Sequence, residues 1–227
     1  MPLQNRVDPF GELFATPARG TLFGNRGGKF HTGDRKLTGR RWASRHWICC
    51  VLAFKGRQRD VWGRYYTELF FLDEITALAA GHRPCFECRR AAAEKFARSF
   101  SGKNRRASAP AMDVILHAER LDDKTKRIHK RNIDKLPDGA ILAVNGALFA
   151  VRGARLLQWT PRGYRQGPRR PRGITVEVLT PPSMLRVLKA GYAPLWHPSA
   201  CLTAARSARA PAPLARGAPR RKRQSPP

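Results

Sequence analysis

Asp73-Glu74-Ile75-Thr76-Ala77-Leu78-Ala79-Ala80-Gly81-His82-Arg83-Pro84-Cys85-Phe86-Glu87-Cys88 is the stretch on which the reading of this chain turns. Asp73 suits a helix N-cap, because its carboxylate can accept the free amide hydrogens of a first turn. Ile75, Leu78 and Ala79 form the apolar stripe of a short helix. Gly81 stops that helix, since glycine tolerates the left-handed conformation required there. Pro84 and a Cys-x-x-Cys follow. That spacing lets two thiolates face one tetrahedral metal ion, with amides of the turn stabilising their charge. Arg83, Arg89 and Arg90 flank the pair and favour the thiolate, the metal-binding form. A single Cys-x-x-Cys supplies half of a zinc site. A redox dithiol and unligated buried thiols are the alternatives, although a redox pair usually opens a helix directly after a strand.

Upstream, His46 to Phe54 is a short apolar run with β-branched and aromatic residues, and Tyr65 to Leu72 is a second; both read as strands. Cys49 and Cys50 are adjacent on the first and point to opposite faces, so at most one reaches a metal at Cys85 and Cys88. Cys50 is the preferred candidate, and Cys49 reads as a small core residue. Residues 1–45 are broken by Gly20, Gly24, Gly27, Gly28 and Gly33 but carry Phe10, Leu13, Phe14, Leu22, Phe23 and Phe30, which predicts an irregular, ordered segment.

Downstream, Arg89 to Phe100 predicts a helix with Ala93, Phe96, Ala97 and Phe100 on one side. A polar linker over 101–110 leads to a helix over 112–121. Ile141 to Val151 predicts a hairpin about Asn145-Gly146, a pair suited to a type I′ turn. Strands are expected over 156–160 and 174–179, separated by a basic loop with Arg162, Arg165, Arg169, Arg170 and Arg172. Ser183 is expected to cap a last helix. The layout from Leu72 to Pro84 is echoed from Pro182 to Pro194: a capped helix, Ala-Gly, an aromatic ring, then Pro.

The expected fold is α+β, with small mixed or antiparallel sheets and short helices around a zinc knuckle. The expected organisation is a knuckle region over 1–110, an α+β extension over 111–200 packed on it, and a disordered basic tail over 201–227. The tail is dominated by Ala, Pro and Arg, too little apolar surface to order itself.

Lys and Arg number 44 against 16 Asp and Glu, a net charge of +28, of which the tail holds only seven. A fold so charged repels itself unless a polyanion gathers on it, and nucleic acid is the usual one; an Arg-rich composition without such a partner is the plainer alternative. Arg40, Arg41, Arg45, Arg57, Arg59 and Arg64 interleave with Trp42, Trp47, Trp62 and Tyr65, a pattern that can hold phosphates and stack bases. Arg169 and Arg170 complete the candidate nucleic-acid surface. No apolar run reaches the roughly 18 residues of a membrane helix, and the N-terminus has no basic start followed by an apolar stretch. Five cysteines, an odd number, argue against a disulfide framework. A cytoplasmic protein without membrane association is expected.

The stretch Phe70 to Arg89 resembles the second half of the metal-binding domain of the Ada DNA-repair family: a strand, a helix ending in Ala-Leu-Ala-Ala-Gly, an aromatic residue, then Arg-Pro-Cys-x-x-Cys. The resemblance covers about 20 residues. It implies that Cys85 and Cys88 are zinc ligands. That family's other ligands are an upstream cysteine pair, one of which accepts a methyl group from DNA; this chain has no upstream Cys-x-x-x-Cys, so the resemblance implies the zinc scaffold and does not carry the methyl transfer with it. Relatives of such knuckles use a His ahead of the first strand, which implies His31. The chain also resembles an uncharacterised bacterial family sharing the Asn-Arg-Val-x-Pro-Phe-Gly and Gly-Asn-Arg-Gly openings.

No catalytic residue is assigned. His117, Glu119 and His129 could serve a nuclease but read first as a solvated helix face, and Gly24 to Lys29 lacks the context of a phosphate loop. The expected function is zinc binding with association to nucleic acid, in a repair-like or regulatory role. The alternatives are an enzyme, either a metal-dependent nuclease or a Cys-based alkyl acceptor, and a zinc-stapled scaffold.

Overall fold

A computed structural model describes residues 1–102 and 105–201. The fold is α+β. The first sheet contains β1 (Arg6–Val7), β2 (Leu13–Phe14), β3 (Leu22–Arg26), β4 (Trp47–Val51), β5 (Leu69–Phe71) and, beyond helix α1 (Glu74–Ala79), β6 (Arg83–Pro84). Its strand order is β2-β1-β5-β3-β4-β6, with β1–β5 and β4–β6 parallel and the rest antiparallel. Helices α2 (Arg90–Ser101) and α3 (Ala109–Arg120) follow, then the small ribbon β7 (Leu121–Asp122) and β8 (Thr125–Lys126).

The second sheet is wholly antiparallel. It comprises β9 (His129–Asn132), β10 (Ile141–Val144), β11 (Ala147–Arg152), β12 (Arg155–Thr160), β13 (Gly163–Arg169) and β14 (Thr175–Val178), in the order β13-β12-β11-β10-β14-β9. Asn145 and Gly146 both have positive φ in the β10–β11 turn, as a type I′ turn requires. Helix α4 (Pro182–Lys189) follows.

Helix α1 holds these layers together. It is only six residues long and every one is buried, the mark of a core helix rather than a surface one. Ile75 and Ala79 pack on the second sheet, against Ile141, Leu157 and Leu179. Ala77 and Ala80 face the first sheet, against Leu13, Leu22 and Phe71. Leu78 joins α2, α3 and α4 through Phe96, Met112 and Val187. Asp73 accepts from the Thr76 amide at 2.9 Å, the expected N-cap.

The echoed corners end in the same way. The Gly81 amide donates to Leu78 and the His82 amide to Ala77; the Gly191 amide donates to Leu188 and the Tyr192 amide to Val187. Each is a Schellman turn, and both glycines have φ +89°. The second corner docks on the first: the amides of His197 and Leu195 donate to Asp73 and Glu74, and the Tyr192 hydroxyl donates to Glu74 at 2.6 Å.

Several expectations are corrected. The N-terminal segment is not strand-free, since β1, β2 and β3 lie within it. The strand expected from Tyr65 is confined to Leu69–Phe71, with Tyr65 and Tyr66 exposed. The basic loop over 162–172 is largely β13; as an edge strand it tolerates Pro168 and outward arginines. Ser183 lies inside α4, whose N-cap is Pro181, and its amide and hydroxyl donate to Glu119. The tail expected over 201–227 lies outside the described residues except for Cys201.

Candidate metal centre and basic surface

Two segments distant in sequence build the thiol site. On β4, Cys50 pairs with Phe23 of β3, and Cys49 pairs with Gly24. Strand β6 runs parallel to β4 with Cys49 opposite Pro84, and the Cys85 amide donates to the Cys49 carbonyl at 3.0 Å. This register sets Cys85 beside Cys50, and the turn to Arg89 returns Cys88 to the same spot. The ligand atoms of Cys50, Cys85 and Cys88 all lie within 4.8 Å of one another. Sulfurs on one tetrahedral zinc, with bonds of about 2.3 Å, stand about 3.8 Å apart, so the three can close on a metal with side-chain adjustment alone.

The thiols are electrostatically prepared. Cys50 shares its proton with both neighbours, which raises its own pKa and lowers theirs: Cys85, bonded by Cys50 and by the amides of Cys88 and Glu87, falls to about 5, and Cys88 also falls. A metal ion bound here displaces the remaining thiol protons and leaves three thiolates. Cys49, on the opposite face, is pushed up to about 12 by burial. It packs in the core of the first sheet and accepts a hydrogen bond from Arg89 at 3.1 Å. Arg89 also pairs with buried Glu74 at 2.6 Å, tying the knuckle to α1.

His31 is not part of this group. Its Nε2–H donates to the Gly63 carbonyl at 3.2 Å and its Nδ1 accepts from the Thr67 hydroxyl at 2.7 Å. Its ring stacks on Trp62 at 5.1 Å. Both nitrogens are therefore spent on holding the loop before β5. Among the described residues the group of possible ligands has three members, all cysteines.

The candidate nucleic-acid residues divide among three places. Arg57 and Arg59 border the thiol site: Arg57 pairs with Glu87, and Arg59 lies over the Phe23 ring at 4.2 Å. Arg64 follows on the same loop, over Tyr65 at 5.5 Å. Arg40 and Arg41 line a cavity with Trp42, and the carbonyl of exposed Arg45 accepts from Arg120. Arg169 and Arg170 line a separate cavity near Asp134, where Arg170 donates to the Leu136 carbonyl at 2.8 Å. Trp47 and Trp62 are buried and unavailable for base stacking, whereas Tyr65 and Tyr66 are 69% and 47% exposed.

Other candidates are structural. His117 accepts from Arg120, Glu119 serves Ser183, and His129 donates to the Glu119 carbonyl. Gly24 to Arg26 belong to β3, and the Gly27 amide is taken by the Asn25 side chain. Sequence reasoning missed Asp113, which is buried and binds both Arg83 (2.7 and 2.8 Å) and exposed His46 (2.7 Å). A carboxylate within an otherwise ordinary helix gave no signal of that role. No described helix is long and apolar enough to cross a membrane.

No family model, curated protein or solved structure matches this chain.

Proposed function

We propose that this protein holds one zinc ion on Cys50, Cys85 and Cys88 and associates with nucleic acid through the basic surface beside that centre. The observation that carries the reading is the meeting of three thiols from β4 and the knuckle at one point. Thiolates are soft ligands that select zinc, copper(I) or iron–sulfur clusters, and the likeness of the knuckle to the Ada family favours zinc. Cys50, like that family's other two ligands, lies upstream of the knuckle in sequence. Three thiolates on a divalent ion leave one net negative charge, and Arg57 and Arg59 stand next to it. In this reading 1–110 carries the centre and 111–200 is an extension packed on it through α1. Thiols kept reduced for a metal fit the cytoplasm.

The nucleic-acid half of the reading rests on the loop between β4 and β5, where Arg57, Arg59 and Arg64 accompany exposed Tyr65 and Tyr66. Cations alternating with exposed rings suit sequence-tolerant contacts to phosphates and bases. The test is fluorescence anisotropy with single-stranded and duplex DNA and RNA at increasing salt. Log affinity should fall linearly with log salt, by about 0.9 per duplex phosphate neutralised, and a triple Arg57→Glu, Arg59→Glu, Arg64→Glu variant should flatten the slope. No binding to any of these at about 50 mM salt would mean that the charge is compositional.

A second reading is enzymatic. Catalytic zinc has three protein ligands and an open fourth position, and three is the number of cysteines gathered here. Hydrolysis of a nucleic-acid substrate, lost on zinc removal and restored by zinc, would favour it over the binding role.

A further inference from the structure

On the face of the first sheet away from the thiols, three cations lie together: Arg26 and Arg120 are each 1% exposed, and Lys126 is half-buried beside them. Trp47 is 2% exposed, and the guanidinium carbons of Arg26 and Arg120 lie 3.9 and 3.8 Å from its ring centre. The Lys126 ammonium donates to the Ala79 carbonyl beside them. Among the described residues none of the three makes an ion pair. Arg26 donates to the carbonyls of Gly11 and Arg41 and to His82, and Arg120 to the carbonyls of Gly81 and Arg45 and to His117. Among the described residues, two buried donors here have no hydrogen-bond partner: Arg120 Nε and His82 Nδ1, whose ring accepts from Arg26 at its other nitrogen.

This arrangement is costly for the protein alone. Burial, followed by mutual repulsion, lowers Lys126 to about 7; burial lowers Arg26 to about 9 despite the help of Glu12 and Asp8. Buried charge without a partner is among the most destabilising features a fold can carry. Among the described residues, Glu12 is the one carboxylate lining the same space, against the five cations Arg26, Arg41, Arg120, Lys124 and Lys126.

That space adjoins a surface cavity. A deep pocket of about 20 Å³, lined by Arg26, Arg120 and Lys126, shares Arg41, Trp42 and Lys124 with a surface cavity of about 340 Å³ bordered by Arg40. The deep end holds about one water-sized atom. The outer cavity has the size of a small-ligand site, and half-buried Trp42 lines it.

The geometry points to a phosphate-monoester site here: one phosphate oxygen enters toward Arg120 and Lys126, Arg41 and Lys124 hold the others, and a base lies against Trp42. The ligand is a mononucleotide or the 5′-phosphorylated end of a nucleic acid. None of the thiol residues takes part. Arg40 and Arg41 are also among the arginines that the sequence marks as candidate nucleic-acid contacts, so the probe is a mononucleotide, which scattered surface arginines alone would not hold.

The experiment is calorimetric titration of the full-length protein with 5′-AMP and with adenosine. AMP should bind saturably at one per chain and adenosine at least tenfold more weakly. Because Arg120→Leu can unfold the protein, the decisive variants are on the exposed rim: Arg41→Glu with Lys124→Glu should lower AMP affinity at least tenfold, while Cys85→Ser leaves it unchanged wherever that variant remains folded. Oligonucleotides with and without a 5′-phosphate identify the source: preference for the phosphorylated end assigns nucleic acid, and equal binding alongside a positive AMP result assigns the free nucleotide. Equal binding of AMP and adenosine, or full AMP affinity in the rim variant, would overturn the site even if long nucleic acids bind elsewhere.

Discussion

The carbonyl of Cys49 accepts the amide of Cys85 at 3.0 Å, and through this one bond a core cysteine sets the register of a thiol cluster to which it does not belong. The bond fixes β6 alongside β4, so the residue after Cys49 and the residue after Pro84 share a face. A substitution of the Cys49 side chain should therefore leave metal binding intact. Cys49→Ala should cost about 1–2 kcal/mol, from a small cavity and the loss of the thiol that Arg89 faces, with zinc content unchanged in the purified protein.

His31 gives a contrasting case. Its ring is 4% exposed and both nitrogens are bonded. His31→Ala should destabilise the fold by about 1–3 kcal/mol, through the Thr67 hydroxyl and Gly63 carbonyl left behind. Denaturant titration should record that loss, and elemental analysis should find the wild-type metal content. Loss of zinc without loss of stability would return His31 to the ligand set.

The two Schellman turns separate backbone strain from packing. At Gly81 an added Cβ would meet Arg120 at 2.6 Å, whereas at Gly191 it would meet nothing within 4 Å. Both positions have the same left-handed φ. Gly191→Ala should therefore cost about 1 kcal/mol, the conformational term alone, and Gly81→Ala several times as much. Equal melting temperatures for the two variants would contradict this.

Asp113 neutralises Arg83 inside the fold, and both side chains are almost fully buried. Asp113→Ala strands a buried guanidinium and should cost about 3–5 kcal/mol. His46→Ala removes the exposed partner of the same carboxylate and should cost under about 1 kcal/mol. Thermal melts of the two variants check the ranking.

Lys126 titrates in the opposite sense to a stabilising pair. Its folded pKa, about 7, lies below the ordinary 10.5, so between those values the unfolded chain binds more protons and stability rises with pH. The penalty is complete below pH 7 and absent above 10.5. Lys126→Met should therefore be more stable than wild type near pH 7, by roughly 1–3 kcal/mol once the lost bond to Ala79 is counted. The advantage should shrink as pH rises toward 10.

The sequence displayed the centre of this fold plainly because its signals there are local. Asp73, Gly81 and the Asn145-Gly146 turn act through their own backbone, and the alternation of Cys49 and Cys50 follows from strand geometry. What it hid was long-range. Strand β13 is an edge strand whose outward arginines read as a loop, and β1 and β2 are too short for any period. The role of His31 depends on Thr67 and Gly63, 36 and 32 residues away, and the clustering of Arg26, Arg120 and Lys126 depends on three elements meeting at Trp47. Charge along the chain showed that arginines abound; it carried no information on which of them are buried together.

The most direct test of the central claim is zinc content measured together with X-ray absorption on the purified protein and on Cys50→Ser, Cys85→Ser and Cys88→Ser. The account predicts about one zinc per chain, bound by three sulfurs at about 2.3 Å and one lighter atom, and loss of zinc in each of the three variants. Full zinc in Cys50→Ser, or a wild-type protein that binds no zinc and melts unchanged when zinc is added, would contradict it.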